Sequence, residues 1–172
     1  MGYNDLNKSW IFPGQASQFV GMGKDLFDNT DIGKKYYNLA NDILEVDIQD
    51  ISFNGPEEKL KITKYTQPAI FIVSSVISHL LIENGHVPGC VAGHSLGEYS
   101  ALTAAGGISF ETGLELVKIR SNSMDKAGIT NPGTMAAIIG LNMDSVVKLA
   151  NSIKTNEVVV AANHNTENQI VI

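Results

Sequence analysis

A chain of 172 residues can bury one good core, or one domain and part of another. Its 44% hydrophobic and 17% charged residues are those of an ordinary globular protein, and a net charge of −6 leaves no electrostatic footprint for nucleic acid. The single cysteine, Cys90, excludes an internal disulfide framework and any four-thiolate metal site, and no other metal-ligand spacing occurs.

In chain order, Met1 to Lys8 is polar and carries no secretory apolar region. Leu6 stands where a myristoylation signal has Ser or Thr. Trp10-Ile11-Phe12 reads as a short buried strand stopped by Pro13-Gly14, followed by a polar loop, Gln15 to Gln18. Asp31 to Leu44 has helical spacing, with Tyr36, Leu39, Ala40 and Ile43 on one face. Gly55-Pro56 breaks the chain before a charged helical turn, Glu57 to Lys61. Gln67 to Asn84 is apolar nearly all round and is closed by Gly85, which predicts a helix buried in a layered fold. Within it, the run Ala69 to Ile82 contains Ser74, Ser75, Ser78 and His79 and is shorter than the roughly 20 apolar residues of a bilayer span. The expectation is a cytoplasmic protein with no membrane partner.

Gly89 to His94 is a compact apolar strand leading into a helix of small residues, Leu96 to Ala105. Gly106-Gly107 ends that helix, and Ser109 is the N-cap candidate for a helix over Phe110 to Ala127. Gly128 to Gly133 reads as a linker, so the predicted domains are residues 1–128 and 129–172. Beyond it come a strand (Met135 to Leu141), a helix (Asp144 to Ile153) and two strands (Val158 to Ala162, Gln169 to Ile172). This β-α-β-β order opens a ferredoxin-like unit that needs a further helix and strand to close, and an end inside an apolar strand reads as a truncated domain. The fold class is α/β.

Gly93-His94-Ser95-Leu96-Gly97 is a G-x-S-x-G pentapeptide. Composition alone produces such a pattern in a chain of this length about one time in ten, so its context matters more. An apolar strand runs into it and a helix leaves it, the setting in which a serine hydroxyl is held clear of a sheet on a strained turn between small residues. The following helix N-terminus offers a positive dipole end to developing negative charge. The competing reading is a Gly-rich turn with an idle serine.

Arg120 is the second candidate. At about 100° per residue, Gly113, Leu116, Val117, Met124 and Ala127 share one face of its helix, and Arg120 falls in the middle of that apolar arc. An arginine there needs a partner to offset desolvation. Its planar fork suits a carboxylate bidentately, although a structural ion pair or a snorkelling stem would satisfy it equally.

These residues belong to a longer series. Phe12-Pro13-Gly14-Gln15-Ala16-Ser17-Gln18, Thr66-Gln67-Pro68-Ala69 and Gly93-His94-Ser95-Leu96-Gly97-Glu98-Tyr99-Ser100-Ala101 resemble successive signatures of the malonyl-CoA:acyl carrier protein transacylase family. Val117-Lys118-Ile119-Arg120, Gly133-Thr134-Met135-Ala136-Ala137-Ile138-Ile139-Gly140 and Asn163-His164-Asn165 continue the series in the same order. The resemblance runs from Trp10 onward and covers about the first half of the family's usual domain. It implies a large α/β-hydrolase-like subdomain with a parallel sheet, plus a small ferredoxin-like subdomain that is incomplete here.

The resemblance also implies roles. Ser95 would accept the acyl group from malonyl-CoA and pass it to acyl carrier protein, with no permanently bound cofactor. The backbone N–H groups of Gln15 and Leu96 would form the oxyanion hole, Arg120 would hold the free carboxylate of malonyl, and Gln67 would line the same pocket. Leu96 resembles malonyl-selective members, and a free-standing fatty-acid enzyme is expected in preference to an excised polyketide module.

The family's catalytic base is a histidine further along than residue 172, so no base is expected in this chain. Loss of a triad member lowers turnover on the order of 10⁴- to 10⁶-fold, and little activity is therefore expected of these residues alone. Among the histidines present, alternation turns His94 away from the Ser95 hydroxyl, His79 and His86 read as structural or exposed, and His164 is a weak candidate base. Ser121 replaces a usual glycine after the arginine, which bears on helix packing there. Lys59, Lys61 and Lys64 form a small basic cluster with two readings, a contact for CoA phosphates or an acidic carrier protein and, in preference, a solvated helix face. Two alternatives stand beside the transferase: a serine hydrolase or thioesterase sharing the same elbow, and a non-catalytic fragment of a split or misannotated gene.

Overall fold

The computed structural model describes residues 3–153 and 158–172. Strand β1 (Tyr3–Phe12) pairs in parallel with β2 (His86–Gly93), Trp10 opposite Val91 and Phe12 opposite Gly93. Parallel neighbours require a crossover. Here it carries α1 (Lys24–Asn29), α2 (Asp31–Leu44), α3 (Ile48–Asn54), α4 (Glu57–Leu60) and α5 (Thr63–Glu83). Then β2 runs into α6 (Gly97–Ala104), and α7 (Phe110–Thr130) completes the first of two compact units, Met1–Thr130.

The first strand is longer than Trp10–Phe12 and is not buried on both faces. Phe12 is buried while Ile11 is 78% exposed, because successive side chains of a strand point to opposite faces. The residues of β2 are likewise exposed or half-buried, although the sequence reads as a compact apolar strand.

Helix α5 forms the centre of the unit, with Ala69, Phe71, Ile72 and Val76 fully buried. Phe71 stacks on Phe110 of α7 (5.6 Å between centroids), which in turn stacks on Tyr36 of α2 (3.9 Å). Three helices are thereby joined by one column of rings. The helix begins at Thr63, four residues before the expected Gln67, and contains Pro68. The Thr66 hydroxyl holds the first turn from within, donating to the carbonyls of Leu60 (2.5 Å) and Ile62 (3.2 Å). Pro68, the sixth residue of α5, lacks the N–H that would ordinarily donate to the Lys64 carbonyl four residues back. At 21 residues, α5 is the one helix among the described residues long and apolar enough to cross a membrane, and most of it is inside the fold.

Helix α7 does not stop at Ala127 but continues through Gly128 to Thr130, so the linker begins at Asn131. Its buried stripe is Phe110, Gly113, Leu114, Val117 and Ser121. Leu116 and Met124, expected on the core face, are 41% and 45% exposed. The cause is the close approach of α5: a Cβ on Gly113 would lie 2.6 Å from the Phe71 ring, which turns the stripe toward Leu114. Ser121 fits without disturbance, fully buried and donating to the Lys118 carbonyl at 3.2 Å.

The second unit, Asn131–Ile172, holds β3 (Ala137–Ile139), α8 (Met143–Ser152), β4 (Asn163–Thr166) and β5 (Gln169–Val171). The sheet order is β3-β5-β4, both pairs antiparallel, so the two strands linked through α8 flank the third. The strand expected at Val158 to Ala162 is instead irregular, and pairing starts at Asn163 opposite Val171. Strand β3 covers Ala137–Ile139 of the expected Met135–Leu141.

Candidate active site

Ser95 lies between the end of β2 and the start of α6, with φ at +54°. A non-glycine residue in that region is strained by roughly 1–3 kcal/mol and is held there only by its surroundings. Those surroundings are backbone. His94 N–H donates to the Phe12 carbonyl at 3.0 Å, Gly97 N–H to the His94 carbonyl at 2.9 Å, and Glu98 N–H to the Ser95 carbonyl at 3.2 Å. The flanking glycines permit the turn: a Cβ on Gly93 would run into the backbone of Gly97 and Glu98, and one on Gly97 into the Phe12 carbonyl. Gly97→Ala is therefore expected to destabilise the unit by about 1–3 kcal/mol, the range for forced overpacking. A denaturant midpoint equal to that of the parent would show that the turn tolerates the methyl group.

The Ser95 hydroxyl is exposed and accepts a hydrogen bond from Arg120 Nη2 at 2.8 Å. Arg120 Nη1 donates to Gln67 Oε1 at 2.5 Å, and Gln67 Nε2 donates to Gln15 Oε1 at 3.5 Å and to Met124 Sδ at 3.3 Å. Gln15 Nε2 donates in turn to Thr63 Oγ1 at 3.3 Å. Four of the sequence-predicted residues (Ser95, Arg120, Gln67 and Gln15) thus lie on one hydrogen-bonded chain. The fifth, Leu96, is buried and caps α6, one residue past the serine. Among the described residues, neither the Gln15 nor the Leu96 amide donates to another backbone carbonyl.

The electrostatics of this chain are one-sided. Arg120 is half-buried, faces two neutral partners, and lies 5.9 Å above the Tyr99 ring. Among the described residues it forms no ion pair. A guanidinium with spare donors has the hydrogen-bonding capacity to take a carboxylate. A cluster of three or more His, Cys, Asp or Glu side chains fit for a metal is absent among the described residues.

Three neighbours escaped sequence reasoning: Tyr99, Met124 and Thr63. Met124 and Thr63 stand four residues from Arg120 and Gln67 on α7 and α5, the helical spacing that could have found them, while Tyr99 lies on α6 just after the Ser95 turn. The remaining candidates lie elsewhere. His79 bonds Tyr36 Oη through Nδ1 at 3.1 Å and Glu83 through Nε2 at 3.2 Å. Burial is the first cause, and the Glu111 and Glu83 charges the second, of a raised Tyr36 pKa. His94 packs its ring against Gly14. His164 is exposed on β4 of the second unit. Lys61 is paired with Glu57 at 2.7 Å, whose carboxyl that bond holds below its usual value, while Lys59 and Lys64 lie over the Tyr65 ring.

Comparison with known proteins identifies the family. The pattern that defines the Acyl transferase domain matches residues 9–172. This chain belongs to that acyl transferase family. The malonyl CoA-acyl carrier protein transacylase of Synechocystis sp. is 42% identical over 167 residues, covering 97% of this acyl transferase chain and 54% of the relative. The crystal structure of a malonyl-CoA:acyl carrier protein transacylase from Xanthomonas oryzae superposes with a TM-score of 0.89 at 37% identity, covering 97% of this chain and 54% of the other. A type II PKS acyl-carrier protein in complex with its malonyl-transacylase gives a TM-score of 0.85 at 37% identity, covering 95% and 53%. This acyl transferase chain spans about half the length of the relatives it matches.

Proposed function

We propose that the protein transfers a malonyl group from CoA to acyl carrier protein through a covalent ester on Ser95. The carrying observation is the 2.8 Å hydrogen bond between Arg120 and the Ser95 hydroxyl, which puts an unpaired guanidinium beside the atom that would bear the acyl group. In the first half-reaction, Ser95 Oγ attacks the thioester carbonyl while its proton passes to a base. That base is a histidine outside residues 1–172. The amides of Gln15 and Leu96 donate to the tetrahedral oxyanion, which collapses with loss of the CoA thiol. In the second half-reaction, the carrier protein's phosphopantetheine thiol attacks the ester and regenerates Ser95. Arg120, held by Gln67, binds the malonyl carboxylate in both halves. No cofactor is bound permanently, and the setting is cytoplasmic fatty acid synthesis.

The parallel β1–β2 pair that ends at the serine supports an α/β-hydrolase-like large subdomain, and the β3-β5-β4 order supports an incomplete ferredoxin-like small one. The test follows the fate of the acyl group, with the histidine-bearing remainder of the fold supplied. Labelled malonyl-CoA is expected to leave an ester on Ser95 that moves to carrier protein faster than to water. Release as free malonate at an equal rate whether or not carrier protein is present would favour a hydrolase.

A further inference from the structure

The loop bearing the Gln15 amide is poorly suited to hold itself. Gln15, Ala16 and Ser17 are exposed, and Ala16 sits at φ +83°, where alanine is strained. Yet an oxyanion donor has to be fixed to within about 0.5 Å to be effective. Two bonds, Ser17 Oγ to the Gly14 carbonyl (2.8 Å) and Ala16 N–H to Gln18 Oε1 (2.9 Å), stay inside the loop and shape it without anchoring it. Buried Gly14 fixes the entry, since a Cβ there would lie 2.8 Å from the His94 carbonyl oxygen. The tip is tied to the core through the Gln15 side chain, whose amide spans Thr63 and Gln67 on α5. Of those two contacts the one to Thr63 is the shorter, 3.3 Å against 3.5 Å, and Gln67 is already engaged with Arg120. Thr63 itself opens α5, where the N-cap Ile62 makes no side-chain cap.

We propose that Thr63 is a positioning residue: its hydroxyl, acting through the Gln15 side chain, sets the direction of the Gln15 backbone N–H. The inference rests on the acyl-transfer reading of the site. It gives Gln15 two separable duties, a main-chain donor to the oxyanion and a side-chain anchor for the loop.

Thr63→Val keeps the shape and removes the acceptor, whereas Thr63→Ser keeps the acceptor. Two readouts apply: hydrogen exchange of the Ala16 amide, which reports loop geometry without any turnover, and kcat and KM for malonyl transfer with the histidine-bearing remainder of the fold supplied. In Thr63→Val, Ala16 exchange is expected to rise about tenfold and kcat to fall about tenfold, with KM within about twofold. Thr63→Ser is expected to restore both, and Gln15→Ala to reproduce the valine variant although its main chain is unchanged. Parent-like exchange and kcat in Thr63→Val would overturn the proposal, as would equal losses in the valine and serine variants. A parent that never forms an ester at Ser95 would instead defeat the acyl-transfer reading, whatever the Ala16 amide does.

Discussion

With the histidine-bearing remainder of the fold supplied, Ser95→Ala is expected to lower malonyl transfer on the order of 10⁴- to 10⁶-fold, the loss typical when a covalent nucleophile is removed. The fold should scarcely notice. The hydroxyl is exposed and only accepts a bond from Arg120, while the turn is secured by the Phe12, His94 and Ser95 carbonyls, which the substitution leaves in place. Unfolding free energy should therefore stay within about 1 kcal/mol of the parent, since alanine meets the same backbone strain as serine and no buried contact is lost. The two readings have to be taken together. A dead and well-folded variant supports a chemical role, whereas retained turnover would move the nucleophile elsewhere.

Arg120→Ala is expected to cut loading from malonyl-CoA by about 30- to 1,000-fold, the equivalent of about 2–4 kcal/mol for losing one partner of a desolvated charge pair. Loading from acetyl-CoA should not fall in step, because acetyl offers no carboxylate to the guanidinium. The ratio of the two rates therefore reports recognition, and any general loss of structure cancels from it. Arg120→Lys should recover only part of the preference, since an ammonium cannot reproduce the planar fork that bonds Gln67 and Ser95 together. Unchanged selectivity in the alanine variant would point to a simple esterase with a structural arginine.

Much of the first unit was legible because its signals are local. Thr30 accepts from Gly33 N–H to cap α2, Ser109 accepts from Thr112 N–H before α7, and Gly93 is demanded by the backbone of Gly97 and Glu98 a few residues on, whereas Gly97 answers to the distant Phe12 carbonyl. The second unit was harder to read from sequence. Val158 and Val160 look like strand residues yet are 87% and 55% exposed, and pairing begins only at Asn163, because strand pairing is a non-local contact that residue propensity does not contain. The apolar arc around Arg120 was misplaced for a similar reason: the approach of Phe71 to Gly113 decides which face of α7 is buried, and periodicity within α7 does not contain it. The site itself was legible as residue types in order. What the sequence could not supply was the chain of bonds through Gln67 that brings Gln15 to Arg120 across 52 and 53 residues of sequence.

The most direct measurement is a crystal structure of the protein after reaction with malonyl-CoA. The expected result is an ester on Ser95 Oγ whose terminal carboxylate accepts from the Arg120 guanidinium, with the ester carbonyl turned toward the Gln15 and Leu96 amides. An acyl group on any other side chain, or a carboxylate directed into solvent with Arg120 still bonded only to Gln67 and Ser95, would contradict it.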